Sequence, residues 1–481
     1  MATPQIQYAS KSFSDIQADL INIIQTQYPD QLNDFNDASI GRVFIDLIAA
    51  LGENLNYSIN NAANETQLEN AQQRRSLFEI ARTFGYNIRN VVGSVTVCQF
   101  TAVVPALGPS YDPSYLPIIK LGSEVVGGGQ VFTLLNDVDF SSAVSASGTP
   151  NRSFIPNLDT LGNVVNYTVT KDEVVYNGSI KIFPKVVRGT DFKPFLSVVI
   201  NDTNVIDIEQ VIVLPGINNP TPTTDQFFNT QYAFYEVDYL LQQQVLVDNP
   251  SITASTANIQ VCQWLPVTQK FIKEFTPNGF CKVIFGGGNG QVNLFQQSIN
   301  NSSESSFLNN YLQNTALGEI PPVNSQIFIR YRSGGGAASN VGIGVLTNFG
   351  QVTIVNNGAV ASTVQKVQRS LTVTNIIPAL GGADAPGIEE IRRSIQYNYS
   401  AQERCITLAD YKSQVGQMNP RYGIPFRYNV LLKDNKIQIP ILGLNADGTL
   451  NNTPSLPSQP RIKQSTSTTE TKEPIFKTLK Q

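Results

Sequence analysis

The chain has no histidine in 481 residues. That excludes Ser-His-Asp and Cys-His nucleophilic catalysis, histidine-bound zinc and the usual near-neutral proton shuttle. One tryptophan (Trp264), two methionines and four cysteines add little, so an enzyme here would have to work with carboxylates, lysine or tyrosine alone. The cysteines, Cys98, Cys262, Cys281 and Cys405, lie too far apart in sequence for a metal-ligand pair. They read as buried free thiols of a protein folded in a reducing cytoplasm. Charge is scarce as well: 15% of residues are charged and the formal net charge is −4. No Lys/Arg run is present, which argues against nucleic acid as a partner, because phosphate binding needs a concentrated basic surface. No apolar run approaches the ~18 residues of a membrane helix, and the N-terminal stretch lacks the apolar segment of a signal peptide. Neither nucleic acid, membrane, metal nor cofactor is expected.

What is present is a loop-rich composition, with 41% hydrophobic residues, 34 Gly and 27 Pro, long enough for two to four domains. The strongest pattern runs from Asp37 to Arg89. Ser39 is placed to cap a helix whose apolar residues Val43, Phe44, Leu47, Ile48, Leu51, Leu55 and Ile59 recur every three or four positions. A further helix from about Glu69 carries Leu77 and Phe78 on one face and ends at Gly85, suited to the left-handed position that closes a helix. Before these, Ser12 and Asp15 form a capping-box signature, followed by Ile16, Leu20, Ile23 and Ile24. Such a helical set cannot bury its stripe alone. Val43, Phe44, Leu47, Ile48, Leu51, Leu55, Ile59, Leu77 and Phe78 are therefore the expected interface.

From about residue 93 the period changes to that of half-buried strands. Strands are expected at 95–100, 117–120, 130–135, 178–184, 196–200, 209–214, 233–237, 257–263, 280–285, 326–331 and 351–355. After residue 378 the pattern turns helical again, with Ile388, Ile391 and Ile395 on one face, then a capping box at Thr407 and Asp410. A strand pair follows at 426–432 and 436–442 around Asp434-Asn435. The expected fold class is α+β and multidomain. Its parts are an N-terminal helical domain (1–92), a β-rich domain (93–190), a second β-rich domain (191–375), a C-terminal α/β domain (376–450) and a polar tail (451–481). An inserted loop is expected at 290–316, with a short helix at 307–312.

No motif with chemistry survives inspection. The glycine runs 127–129, 286–290 and 334–336 lack the following Lys-Ser/Thr or the βαβ context of a phosphate cradle, and read as tight turns. Glu389-Glu390 and Asp137/Asp139 read as helix-end and loop charges rather than a glycosidase couple. Asp434-Asn435 and Asn445-Ala446-Asp447-Gly448 lack the ligand series of a calcium loop. Arg74-Arg75 reads as a solvated or salt-bridged pair.

Four sets of residues, in order, resemble a known family. They are Ser39, Gly41, Ile45-Asp46-Leu47, Glu65, Arg75-Ser76-Leu77 and Gly85-Tyr86; then Val283-Ile284-Phe285-Gly286; then Ile329-Arg330-Tyr331-Arg332-Ser333-Gly334-Gly335-Gly336 with Ser339-Asn340-Val341; and finally Gly381-Gly382, Glu389-Glu390-Ile391-Arg392 with Arg404 to Thr407, Asp410 and Tyr411. This order resembles the baseplate J-like and baseplate wedge proteins of contractile-tailed bacteriophages. Gly287 stands where the family usually has Asp, and the polar tail stands where larger members continue.

The resemblance implies a non-enzymatic structural protein of the virion tail baseplate. Copies of the chain would pair within a wedge, join other wedge and hub proteins, close a ring around the hub and transmit rearrangement during contraction. Pivots are expected near 90–93 and 371–382. The alternative is a peripheral host- or glycan-binding tail protein, which predicts exposed aromatic loop clusters and trimeric association. A carboxylate-based glycan hydrolase comes third.

Overall fold

The computed structural model describes residues 9–29, 39–144, 150–227, 229–248, 262–287, 317–402, 404–416, 427–433 and 436–444, with positions 7, 35, 36, 425, 450 and 451. The expected loop 290–316 with its 307–312 helix lies outside the described residues. So do the turn at Asp434-Asn435, the segment 445–448, strand residues 257–261 and the tail from 452. The fold class is α+β. Contacts divide the chain into two compact units, Met1–Ile88 with Gly387–Ser400, and Arg89–Pro386 with Ala401–Gln481.

The first unit is helical. α1 (Phe13–Gln27) begins with a complete capping box, in which Asp15 N–H donates to Ser12 Oγ and Ser12 N–H donates to the Asp15 carboxylate at 2.9 Å. α2 (Ile40–Glu65) begins at Ser39, whose Oγ accepts the Arg42 N–H at 3.1 Å, and its 26 residues extend about 39 Å. α3 (Arg74–Thr83) starts five residues later than the sequence pattern predicts. Its N-cap, Gln73, offers no side-chain bond. The Glu65 carboxylate instead accepts the N–H groups of Gln72 and Gln73 at 3.0 and 3.1 Å. Burial alone would push this carboxyl up. The Ser76 hydroxyl and those two N–H groups outweigh it and hold Glu65 below its ordinary value.

α3 closes as its glycine predicts. Gly85 has φ +71°, Tyr86 N–H donates to Ala81 O at 2.8 Å and Gly85 N–H to Arg82 O at 3.1 Å, the paired bonds of a Schellman end. The core of this unit is small. Ala71, Leu77, Ala81 and Ile88 pack with Ile391 and Ile395, which come from a helix 300 residues downstream.

The second unit contains two large sheets, a one-turn helix α4 (Thr224–Phe227), and α5 (Ala361–Arg369). The first sheet has eight strands. Along its path they are Asn348–Phe349, Glu124–Gly127, Gln130–Leu134, Val164–Asn177, Val95–Leu107 and Ser110–Tyr111. Thr372–Asn375 is added on 95–107, and Arg152–Leu158 on 164–177. The antiparallel pair 95–105 with 166–176 forms its spine. Alternation along 95–107 sends Cys98, Phe100, Ala102 and Val104 into a core shared with Phe132, Phe140, Val169 and Val367 of α5. α5 was not legible as a helix, because Val360, Val364 and Val367 spread a weak stripe through a β-rich neighbourhood.

The second sheet has seven strands in the order Ser197–Ile200, Cys281–Phe285, Lys270–Phe275, Ala233–Glu236, Val205–Pro215, Ser325–Ser333, Ser179–Val187. Only 233–236 with 270–275 is parallel; the other pairings are antiparallel. Its core includes Val198, Ile208, Val211, Phe271, Val283, Phe285, Ile327 and Ile329. Two register shifts in 205–215 turn Asp207 inward. Lys273 pairs with Asp207 and reaches Glu236 at 2.9 Å. Burial would lower the Lys273 ammonium, but the two carboxylates outweigh it and raise it.

Downstream, α6 (Ile388–Ala401) supplies the isoleucines of the first unit, and α7 (Leu408–Gly416) opens with the expected Thr407/Asp410 box. Leu431–Lys433 pairs with Lys436–Gln438 as a hairpin.

The segments expected to act as pivots, 90–93 and 371–382, carry hydrogen bonds within the second unit. Asn90 Nδ2 donates to Thr203 O at 2.7 Å and Gly279 O at 3.1 Å. Val92 bonds Ala383 in both directions, and Val95 bonds Leu380 likewise. Thr372–Asn375 is a sheet strand. Within that unit both segments are held by backbone and side-chain hydrogen bonds.

Candidate interface

The contact between α1 and α2 explains what the α2 stripe does. α2 meets α1 through its small and polar face. Gly52 lies so near α1 that a Cβ there would come within 2.9 Å of Ile16 Cδ1. Gln17 donates to Asp46 at 2.6 Å, Asn56 Nδ2 donates to Lys11 O at 2.9 Å, and Asn60 makes a reciprocal pair with the Ala9 backbone. Asp46 also takes Arg42 at 3.3 Å. Of the α2 residues, Ile45, Ala49 and Asn64 are buried, and α1 buries none fully.

The apolar stripe lies on the other side. Val43, Phe44, Leu47, Ile48, Leu51, Leu55 and Ile59 are each between 51% and 61% exposed. The residues expected to be the interface thus separate into two groups. Those seven form one surface with no charged member. Leu77 is fully buried in the core of the first unit, and Phe78 is half-buried there under the Arg74 guanidinium, 5.2 Å from its ring. Leu77 is therefore a core residue and no part of the exposed surface. Its stripe position on α3 is filled by Ile391 and Ile395, whose arrival from 300 residues away no local pattern announces.

Two exposed apolar residues of α2 went unread. Ile40 and Tyr57 are 77% and 72% exposed. Ile40 was legible: it directly follows the Ser39 cap and stands three positions before Val43, on the same stripe. The seven stripe residues and Ile40 together leave on the order of 800 Å² of apolar surface open, about one partner's share of a standard protein interface.

The remaining motif residues are structural. Arg332 is buried against Glu209 at 3.3 Å, with its guanidinium 5.4 Å from the Tyr176 ring and Nη1 donating to Asn177 O. Gly334, Gly335 and Gly336 all have positive φ, and Gly335 and Gly336 donate to Asn177 Oδ1 and Val92 O. Asn340 and Gly382 exchange hydrogen bonds at 2.9 and 2.8 Å, and Ser339 bonds Ser94. Two of the segments that carry the family resemblance, 329–341 and 381–382, thus meet at one joint between the two sheets. Arg392 clamps the turn after α2, donating to Leu68 O at 2.8 Å and Ala71 O at 2.6 Å.

The carboxylates considered for catalysis have structural partners too. Asp137 accepts Lys120 Nζ and Leu121 N–H, Asp139 accepts Ser141 N–H, and Glu389 pairs with Arg392. Cys98 and Cys281 are buried free thiols, pushed up to about 12 by burial. Among the described residues no cluster of three or more His, Cys, Asp or Glu could hold a metal, and no helix is long and apolar enough to cross a membrane.

Comparison with known proteins points the same way. Residues 12–83, spanning α1 to α3, match the family model of the bacteriophage baseplate protein N-terminal domain. The chain is also similar to the baseplate wedge protein gp6 of Enterobacteria phage T4, 24% identical over 249 residues, which is 48% of this chain. The match covers 34% of that relative's length. Both similarities support a bacteriophage baseplate protein with a structural role in the virion tail.

Proposed function

We propose that this chain is a wedge component of a contractile tail baseplate and acts by assembly rather than catalysis. Copies of it pair within a wedge and join other wedge and hub proteins, and the wedges close into a ring around the hub. The ring passes on rearrangement when the tail contracts. The observation that carries this reading is the uncharged, exposed stripe of α2, inside the segment that matches the baseplate N-terminal domain. A stripe of this kind is costly in water and is stabilised by a neighbouring helix laid along it, at roughly 25 cal/mol per Å² covered. Ring closure needs heterologous contacts, so α2 and other faces serve different neighbours. The folded middle of the chain spaces those contacts, and its sheet joint moves as one piece.

Replacing Leu47 and Leu51 by Asp tests this. Purified variant chain is expected to keep its thermal midpoint, because both side chains face solvent. Phage carrying it should yield few or no complete baseplates by electron microscopy. Intact, contractile tails at normal yield would overturn the proposal.

A further inference from the structure

The seven-stranded sheet holds its buried charge where its ladder is thinnest. Strand 233–236 links the two halves of that sheet, pairing with 211–212 on one side and 270–271 on the other. Past Val237 the chain turns off, and Gln242 N–H donates to Tyr239 O. Lys273 and Asp207, on the strands to either side, meet directly across the gap this leaves. Their side chains are only 10% and 3% exposed, and Lys273 Nζ also contacts Glu236 at 2.9 Å. Asp207 is positioned by its own strand, because its Oδ1 accepts the Ile208 N–H at 3.0 Å. The surroundings are apolar. Buried Val283 stands opposite Lys273 in the ladder, and buried Cys281 lies close enough to feel all three charges.

We infer that Lys273 and Asp207 condense into an intramolecular amide, with Glu236 as proton carrier, and that this bond staples the two halves of the sheet. The step needs no co-reactant. One ammonium proton passes to the Asp207 carboxylate, and the neutral amine then attacks Asp207 Cγ. The Nζ–Cγ bond forms and the bond from Cγ to the protonated oxygen breaks. Glu236 takes a second proton from the nitrogen and delivers it to the departing oxygen. Ammonium and carboxylate thus become one amide and one water, and Glu236 ends as it began.

Three observations favour the amide over a permanent ion pair. First, Lys273 and Asp207 are out of water, where a neutral amide is favoured over two desolvated charges. Second, an ion pair needs one carboxylate, and here a second one stands on the same nitrogen. Partial burial, with the Asp207 and Asp238 carboxylates, holds Glu236 above its ordinary value against the pull of Lys273, so it can take and return a proton. Against burial, the two carboxylates keep Lys273 charged before reaction, so the free amine arises by transfer inside the cluster. Third, Glu236 lies at the rim with its side chain 36% exposed, which gives the released water a way out. The inference stands apart from the role proposed for α2.

Mass spectrometry of the purified full chain tests this. The natural chain is expected to weigh one water less than its sequence, and proteolysis should release a branched peptide joining Asp207 to Lys273. Lys273→Met and Glu236→Gln should each keep the full mass. Asp207→Asn should still cross-link but lose ammonia in place of water, because the leaving group is then the side-chain nitrogen. Full sequence mass in the natural chain after prolonged incubation at neutral pH would overturn the inference. So would a water loss that survives Lys273→Met, or one that peptide mapping assigns to other residues. The natural chain decides by itself, so a variant that fails to fold leaves the test intact.

Discussion

The two units spend apolar residues in opposite ways. In the sheet unit, alternation along 95–107 buries Cys98, Phe100, Ala102 and Val104, and the same holds for Phe132 and Val169 facing them. In the helical unit, the residues with the clearest apolar period, from Val43 to Ile59, are the ones left outside. α1 instead docks on Gly52 and Asp46, and the segment just before it bonds Asn56 and Asn60. A helix pair joined through hydrogen bonds and a glycine keeps its apolar face available, whereas a sheet closed over Phe100 and Phe132 has nothing left to offer on that side. Apolar periodicity therefore marks what will be covered. It does not say by which chain.

This contrast can be broken experimentally, and the largest effect is expected at the sheet joint. Removing the Arg332 side chain in Arg332→Ala leaves Glu209 buried without its ion-pair partner and should cost about 3–5 kcal/mol in urea unfolding. Replacing Arg332 and Glu209 together by Met and Leu should cost much less, because no charge is stranded. Equal losses in the two variants would show that the pair matters only for its shape.

Within the helical unit the comparison sharpens. Leu77→Ala opens a cavity among Ala71, Ile88, Ile391 and Ile395 and should lower stability by about 2–4 kcal/mol. Leu47→Ala should change the isolated chain by about 0.5 kcal/mol or less, while still weakening baseplate assembly. A similar penalty for both would mean that the α2 stripe is covered within the free chain.

A smaller effect depends on pH. Glu65 titrates below its ordinary 4.5 in the folded chain. The unfolded chain therefore binds this proton more readily, so the stabilisation is fully present above 4.5 and is lost as pH falls through the lowered value. Thermal midpoints from about pH 6 to about pH 3 should fall more steeply for the wild type than for Glu65→Gln. Parallel curves would remove Glu65 as the cap of α3. The smallest effect is expected at Gly52→Ala. The gain in helix propensity, up to about 1 kcal/mol, offsets the displacement of the mobile Ile16 Cδ1 tip and leaves the midpoint nearly unchanged. A large loss would show the α1–α2 contact to be tighter than one methyl group.

Local signals were the legible ones. Ser12, Ser39, Gly85 and the Thr407/Asp410 box each mark a helix end where the sequence predicts it, because caps act within four residues of the chain. Strand positions such as 130–134, 281–285 and 325–333 were legible for the same reason. The 164–177 strand, the spine of the first sheet, was not. Its buried phase of Tyr167, Val169 and Val175 is interrupted by Lys171 and Glu173, which look like loop chemistry. Lys171 and Glu173 are nonetheless buried there, with Lys171 donating to Ser142 O and Val144 O.

The sequence by itself determined the class of the protein. The lack of histidine removes histidine-based chemistry, a long apolar helix stripe offers a contact surface, and caps and alternation set its helices and strands. Tertiary structure decided which contacts remained to be made. Ile391 and Ile395 reached Leu77 and took it out of the candidate surface. Gly52 and Asn60 turned α2 so that Leu47 and Leu51 face away from α1. Asn90 and Val92 joined the 90–93 segment to Thr203, Gly279 and Ala383. Each of these depends on residues hundreds of positions apart or on which helix face finds a partner first, and burial energy is indifferent to sequence distance.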